Sequence, residues 1–305
     1  MSPETPALAG PGGAQHLKRK QAATRWGWLM VSPYAVNLLL LTAGPIIAAL
    51  YFSFCDYQLI QPPRFLGLDN YHRMVRDRNV HDALSNTLFY MATYVPGSML
   101  ASLAVAAALN QRIRGMSFFR ALFFLPVVSS GVAIALLWTW LLNKHGIINH
   151  FLNTLGIKPV NFFGFDWALR SIVMMSVWSS LGSLMVYWLA GLQGVPQELY
   201  EAAEIDGANS WQRFRNVTLP FLTPVAFFMI VIGVIGSFQV FTQTNIMTGG
   251  GPGNATLTIA LYIYRRGFTG YEMGYACALA YLLFTVLAVV TFTQWRLQSR
   301  WVFYG

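Results

Sequence analysis

Long runs of the chain carry no charged residue. A helix that crosses a bilayer needs about 20 mainly apolar residues, and a charge near mid-bilayer costs about 2.5 to 3.5 kcal/mol. The stretches that lack Asp, Glu, Lys and Arg and are long enough for such a helix are residues 26–55, 83–111, 121–143, 171–197, 216–264 and 273–295. The pattern predicts membrane-spanning helices rather than a soluble domain.

The fifth stretch is long enough for two spans, but a turn interrupts it. Residues 248–254 read Thr-Gly-Gly-Gly-Pro-Gly-Asn, and such a run leaves backbone N–H and C=O groups unpaired, which lipid does not tolerate. The apolar run that follows, 257–264, is too short to span. We therefore predict one helix from about Pro224 to Phe241, followed by a loop, and an all-α polytopic bundle of six transmembrane helices.

The composition agrees with a membrane protein. Hydrophobic residues make up 55% of the chain and charged residues 10%, against roughly 25% charged in a soluble domain. The formal net charge is +9, and the basic residues gather between the apolar stretches, as expected next to anionic lipid headgroups rather than nucleic acid. Cys55 and Cys277 have no CxxC partner, so no metal site is predicted.

An even number of spans puts both termini on one side of the membrane. Lys18, Arg19 and Lys20 precede the first predicted helix, which favours cytoplasmic termini by the positive-inside rule. Residues 1–25 are rich in Ala, Gly and Pro and predict a disordered cytoplasmic tail. Residues 26–305 predict the six-helix membrane domain.

The segment 194–220, between the fourth and fifth predicted helices, is long for a connector. Gly207 suits the left-handed conformation that ends a helix. A second helix is predicted to begin at Ser210, an N-cap residue type, and to end at Leu219 and Pro220. The segment therefore predicts a cytoplasmic helix-turn-helix.

The first of these two helices has a face suited to docking. Helical spacing places on one face Leu199, Ala202, Ala203 and Asp206. Alanines let another backbone come close, and the flanking Glu198, Glu201 and Glu204 suit a basic groove on a partner protein. The alternative is a helix pair lying on the lipid and anchored by Trp211 and Phe214, which the acids disfavour on an anionic leaflet.

The same residues resemble a known family. Glu201-Ala202-Ala203, then Asp206-Gly207-Ala208 and then Leu219-Pro220 resemble the EAA loop of permease subunits of bacterial and archaeal ABC importers. Two further patches resemble the carbohydrate branch, the maltose and glycerol-phosphate type permeases: Gly67-Leu68-Asp69-Asn70-Tyr71, and Thr-Gly-Gly-Gly-Pro-Gly-Asn-Ala-Thr at 248–256. The resemblance runs from about Trp26 to the C-terminus.

The resemblance implies a non-enzymatic permease subunit in the cell inner membrane that imports a sugar, a polyol or a glycerol-phosphate solute. The implied partners are a second permease subunit, two ATP-binding subunits and an extracytoplasmic solute-binding protein. The implied ATPase-coupling residues are Glu201, Ala202, Ala203, Asp206, Gly207, Leu219 and Pro220. The sequence has no GxxxxGK[ST] phosphate loop, so we expect no cofactor in this chain and ATP on a partner subunit.

Candidates for solute contact are polar residues within the predicted helices, because amides, hydroxyls and aromatic faces hold uncharged sugars. They are Gln239, Thr242 and Gln243 on the fifth helix, Tyr187 on the fourth and Asn86 on the second. Gln239 and Gln243 are four residues apart and are expected on one helix face. Hydrogen bonding between helices is the alternative role for each residue.

Two other function classes stay open. An ion-coupled secondary carrier usually places ionisable residues inside the membrane, and the predicted helix cores contain none. A membrane-embedded enzyme would need a nucleophile, an acid-base pair or a metal set, and the sequence contains neither HExxH nor GxSxG. We predict no catalytic and no metal-binding residue.

Overall fold

The computed structural model describes residues 26–111 and 115–303, so the predicted tail at 1–25 lies outside the described residues. Within that part, five helices are long and apolar enough to cross a membrane, or six when one bent pair counts as a single span. The all-α membrane bundle is confirmed.

The elements follow one another with short connections. In chain order they are α1 Trp26–Ser53, β1 Cys55–Asp56, β2 Arg64–Phe65, α2 Asp69–Arg76, α3 Arg78–Leu109, α4 Met116–Val128, α5 Gly131–Leu141, α6 Ile147–Thr154, α7 Ala168–Gln193, α8 Gln197–Ile205, α9 Ser210–Phe238, α10 Thr242–Met247, α11 Ile259–Tyr264 and α12 Met273–Gln298. Strands β1 and β2 form an antiparallel hairpin that pairs Cys55 with Phe65 and Asp56 with Arg64.

The short elements lie at the two ends of the bundle. We call the end with the hairpin, α2, α6, α10 and α11 the hairpin end, and the end at which α8 joins α7 to α9 the coupling end. Helices α3 and α7 form the central pair, where the buried Trp188 donates from Nε1 to Ser102 Oγ (3.1 Å) and to the Met99 carbonyl (3.2 Å).

The third span is not the single helix predicted over 121–143. Helices α4 and α5 meet at an angle of 101°. Pro126 lies in the last turn of α4, and Ser129 and Ser130 are extended, with ψ of 150° and 131°. Pro126 removes one backbone hydrogen bond from α4, and the extended serines interrupt the helical hydrogen bonds between α4 and α5. The two helices therefore meet at a bend.

The fifth helix also differs from its prediction. Helix α9 begins at Ser210, well before Pro224, and ends at Phe238 rather than Phe241. Gln239 takes a non-helical conformation, with φ of −99° and ψ of 9°, and α10 then begins anew at Thr242. The turn predicted at 248–254 is present, and α11 is too short to span, as predicted.

Candidate coupling site and solute pathway

Helix α8 is closed by a left-handed glycine. Pro196 precedes its first turn, with φ of −58°. At the other end Gly207 has φ of +75°, Ala208 N–H donates to the Ala203 carbonyl (2.9 Å) and Gly207 N–H to the Glu204 carbonyl (3.0 Å). This pair of bonds is a Schellman motif, which satisfies carbonyls that the helix end leaves free. The left-handed conformation predicted for Gly207 is confirmed.

The start of α9 fixes the second arm of the turn. Asn209 Oδ1 accepts from Gln212 N–H (2.9 Å), and Gln212 Oε1 accepts from Asn209 N–H (2.8 Å). This reciprocal capping box makes Asn209 the N-cap, one residue before the predicted Ser210. The Tyr200 hydroxyl then joins α8 to α9 through the Thr218 hydroxyl (2.8 Å).

Leu219 and Pro220 do not end the second helix, contrary to the prediction. Residues Phe214–Thr218 form a π turn, and Leu219 N–H donates to the Phe214 carbonyl. Pro220 follows in the first turn of the next α-helical segment, where its missing N–H is tolerated. Helix α9 therefore runs unbroken from the coupling end through the membrane.

The outer surface of α8 is exposed among the residues that the structure describes. Glu201, Ala202 and Asp206 are exposed, Ala203 is half-buried, and Ile205 is 87% exposed. Among the described acids of α8, only Glu204 forms an ion pair, with Arg213 at 3.5 Å, and such an exposed pair contributes little stability. The face predicted for docking is thus an exposed, largely unneutralised acidic surface with apolar residues beside it.

A cavity of about 340 Å³ lies between α3, α7, α9 and the link from α9 to α10. Its lining residues are Tyr90, Tyr94, Ser176, Ser179, Ile232, Gly233, Gly236, Gln239, Val240, Phe241, Thr242 and Gln243. This lining includes no charged side chain. Tyr90 lies about 18 Å along α3 from the start of that helix, so the cavity is at membrane depth.

Three of the five residues predicted to contact solute line this cavity. Gln239, Thr242 and Gln243 are brought together there, although the two glutamines do not share a helix face, because α9 ends before Gln239. Their side-chain amides make no hydrogen bond to other described residues. They are therefore free to bind water or a solute.

The other two candidates lie elsewhere. Tyr187 packs edge-on against Phe228, with ring centroids 5.5 Å apart, outside the lining of this cavity. Asn86 donates from Nδ2 to the carbonyls of Asn254 (2.7 Å) and Leu257 (3.0 Å). In this structure Asn86 holds the glycine-rich loop against α3.

Sequence analysis missed the residues on the opposite wall of the cavity. Tyr90 and Tyr94 stack with ring centroids 5.3 Å apart, and Ser176 and Ser179 face them from α7. Tyr90 and Tyr94 are four residues apart and Ser176 and Ser179 are three apart, and such spacings place two polar side chains on the same face of a helix. Such spacings are also common where helices simply pack together, so the sequence pattern alone does not distinguish a solute-binding face from a packing face.

The chemistry of the cavity suits a neutral polyhydroxyl solute. Ser176 Oγ is buried beside Tyr90 and has no hydrogen bond of standard geometry among the described residues. A buried hydroxyl without a partner costs about 1 to 3 kcal/mol, which a water or a solute hydroxyl would recover. Stacked tyrosine rings add an aromatic face of the kind that binding pockets use.

Comparison with known proteins decides the family. Residues 81–295 match the binding-protein-dependent transport system inner membrane components. The chain belongs to this family. The family places this subunit in the inner membrane, makes it dependent on a binding protein and makes it a transport component rather than an enzyme.

Relatives support the same assignment, and a solved structure shares the fold. The arabinooligosaccharides transport permease of Halalkalibacterium halodurans is 34% identical, with 88% of this chain and 85% of that protein covered. The lactose transport permease of Rhizobium radiobacter is 34% identical, with 88% and 92% covered. A chain of the bacterial alginate ABC transporter, solved with an alginate-bound periplasmic protein, has a TM-score of 0.81 at 22% identity, with 94% and 96% covered, and so shares the fold.

Proposed function

We propose that this protein is one of two permease subunits of an ABC importer for an uncharged sugar or a related polyol. Its α8 docks into an ATP-binding subunit, and its cavity forms half of the solute pathway. The observation that carries the proposal is the exposed acidic face of α8, which lies in the chain between two membrane helices. A second permease, two ATP-binding subunits and an extracytoplasmic binding protein complete the transporter, and ATP is bound by the partner subunit.

The geometry supports coupling by direct transmission. Helix α8 follows α7 after a short link, and the capping box joins its turn to α9, which continues unbroken into the membrane. Ser176 on α7 and Gly236 on α9 both line the cavity. A displacement imposed on α8 would therefore reach two of the three helices that form the cavity walls.

The coupling experiment changes Gly207 to Val. A β-branched residue in the left-handed region costs on the order of 1 kcal/mol or more and would redirect the start of α9. Gly156 is a matched control, because it also has φ of +75°, also follows a helix, and lies at the hairpin end. We expect Gly207→Val to abolish solute-stimulated ATP hydrolysis or release the ATP-binding subunit, and Gly156→Val to preserve both.

The whole transporter is purified from membranes for each variant. A gel measures its subunit content, and ATP hydrolysis is assayed with and without solute-bound binding protein. Normal hydrolysis and full subunit content in Gly207→Val would show that α8 is not the docking element. Equal loss in both variants would mean that backbone strain alone destroys the complex.

The pathway experiment replaces Gln239 and Gln243 with Leu, separately and together. Both amides line the cavity and bond to no other residue that the structure describes, so we expect uptake to fall while subunit assembly stays normal. Gln61→Leu, in the exposed hairpin loop, is the control. Normal uptake in the double variant would show that these amides do not bind solute.

We further propose that the coupling end and both termini are cytoplasmic, and that residues 26–305 form one permease domain. A cysteine at Ile60, 91% exposed at the hairpin end, should react with a membrane-impermeant thiol reagent in intact cells, and one at Ile205 should not. The background lacks Cys277, since Cys55 is buried. The reverse labelling pattern would invert the orientation.

A further inference from the structure

A second cavity, of about 450 Å³, opens on the side of the bundle between α4 and α7. Most of its wall is apolar, with Phe124 from α4 and Met185, Val186 and Leu189 from α7. Among the described residues that line it, the polar side chains are Arg120 and Gln193. We call this cavity the lateral groove, and neither the docking face of α8 nor the solute pathway uses it.

Arg120 is a partly buried cation that has no counter-ion among residues 26–111 and 115–303. It lies within α4, and its Nη2 donates to the carbonyl of Leu109 at the end of α3 (3.0 Å). Its Nε is buried and has no hydrogen-bond partner in the part of the chain that the structure describes. A guanidinium inside a membrane protein is costly without an anionic acceptor, so an anionic ligand at Arg120 would be stabilising.

The polar end of the groove lies at headgroup depth. Arg120 is in the second turn of α4, and Gln193 is the last residue of α7, where the chain leaves the membrane for α8. Phe124 and Val186 lie about one to two helical turns deeper, at roughly 5 to 10 Å. The groove therefore has a cation and an amide near the membrane surface and apolar walls below them.

We propose that the lateral groove binds one anionic phospholipid from the leaflet at the coupling end. The phosphodiester accepts hydrogen bonds from the Arg120 guanidinium and the Gln193 amide, and an acyl chain lies along Phe124 and Val186. An apolar helix of another subunit would fill the walls but leave the guanidinium unpaired, which is why the charge favours a lipid. The assignment does not depend on which solute is carried.

The test measures lipid binding to the full-length protein, purified in detergent with the subunits that accompany it. Native mass spectrometry follows titration with dioleoylphosphatidylglycerol and, separately, with dioleoylphosphatidylcholine. We expect Arg120→Gln to weaken phosphatidylglycerol binding roughly tenfold, because charge-assisted hydrogen bonds are lost. Arg300→Gln, which removes an exposed charge at the same end, should leave the affinity unchanged. Equal affinity in wild type and Arg120→Gln would overturn the proposal.

A second variant keeps the charge and fills the groove. Ala190 is exposed on the α7 wall, so Ala190→Phe should exclude the acyl chain and lower phosphatidylglycerol binding while the protein stays assembled. If the Arg120→Gln protein does not assemble, phosphatidylglycerol binding to Ala190→Phe tests the proposal alone. If inorganic phosphate competes with phosphatidylglycerol in the wild type and Ala190→Phe does not change lipid binding, the groove is a simple anion site. If Ala190→Phe releases a second permease subunit but keeps the lipid, the groove is a subunit interface. Either result would contradict the proposal.

Discussion

The two ends of the bundle are built on opposite principles. At the hairpin end, polar side chains from distant parts of the chain bind one another. The carboxylate of Asp77 accepts from the hydroxyls of Tyr262 and Tyr275, the latter at 2.8 Å, and lies 3.9 Å from the Arg266 guanidinium. We call this set, with Arg266, the Asp77 cluster. It ties the start of α3 to α11 and α12.

Charge in the Asp77 cluster is satisfied within the chain. Burial raises the pKa of Asp77, but hydrogen bonds from Tyr262 and Tyr275 and the charge of Arg266 outweigh burial and hold that pKa below its ordinary value of 3.8. The neighbouring Glu272 pairs with Arg73 at 2.9 Å. The hairpin end is therefore preorganised without any other subunit.

At the coupling end the polar groups point outward instead. Helix α8 is attached to α9 through one hydroxyl pair and one exposed ion pair, and most of its acids have no cation among the described residues. Trp211, 67% exposed, stacks on Phe214 with centroids 5.7 Å apart. The contrast indicates that this chain fixes its hairpin end by itself and leaves the coupling end to be completed by a partner.

The largest effect is expected from breaking the Asp77 cluster. Asp77→Leu removes the acceptor of the Tyr262 and Tyr275 hydroxyls, one of the two carboxylates beside Arg266, and the N-cap bond to Asn79 N–H (3.0 Å). It should therefore lower the stability by about 2 to 4 kcal/mol. Thermal unfolding of the purified protein measures the loss. Asp69→Asn, at an exposed acid of the same end, should change stability by less than about 0.5 kcal/mol. Similar melting of both variants would refute preorganisation.

A smaller loss is expected where α12 meets the hairpin. A Cβ on Gly274 would lie 2.0 Å from the Cys55 carbonyl oxygen, a backbone atom that cannot turn away. Gly274→Ala should therefore cost about 1 to 3 kcal/mol on the same thermal assay. Gly131→Ala is the control, since nothing lies within 4 Å of its added methyl group. Unchanged unfolding of Gly274→Ala would show that this contact is loose.

At the coupling end the expected loss of stability is smaller, and activity should respond more. Asn209→Ala removes the capping box at the start of α9, which costs about 1 kcal/mol locally. We expect near-normal thermal unfolding and reduced solute-stimulated ATP hydrolysis. Ser210→Ala, which keeps the capping box, should resemble wild type in both measurements. A large fall in unfolding temperature for Asn209→Ala would remove the contrast between the two ends.

The smallest effect concerns pH. A carboxylate whose pKa is lower in the folded state contributes stability that is complete above its unfolded value and is lost as the pH falls through the folded value. For Asp77 that loss begins only below about pH 3.8. The stability difference between wild type and Asp77→Leu should therefore stay constant from pH 8 to pH 5. A difference that shrinks within this range would mean that Asp77 titrates higher.

The breaks in the helices could not be read from hydrophobicity. The charge-free stretch 121–143 predicts a span, but charge counting is blind to the backbone conformation of Ser129 and Ser130, which decides the bend. The end of α9 was misplaced for a related reason. Gln239 follows the mainly apolar run of α9 and is itself uncharged, so the charge-free stretch does not show where the helix ends.

By itself the sequence determined the membrane bundle, because bilayer thickness and the cost of charge in lipid leave few alternatives. It also determined the left-handed turn at Gly207, because few residues other than glycine tolerate that conformation. Only the tertiary structure decided which polar residues meet. The tertiary structure places Gln239 and Gln243 in one cavity with Tyr90, and it hydrogen-bonds Asn86 to the glycine-rich loop. The reason is that turns and spans are local, whereas a site depends on contacts between helices far apart in the chain.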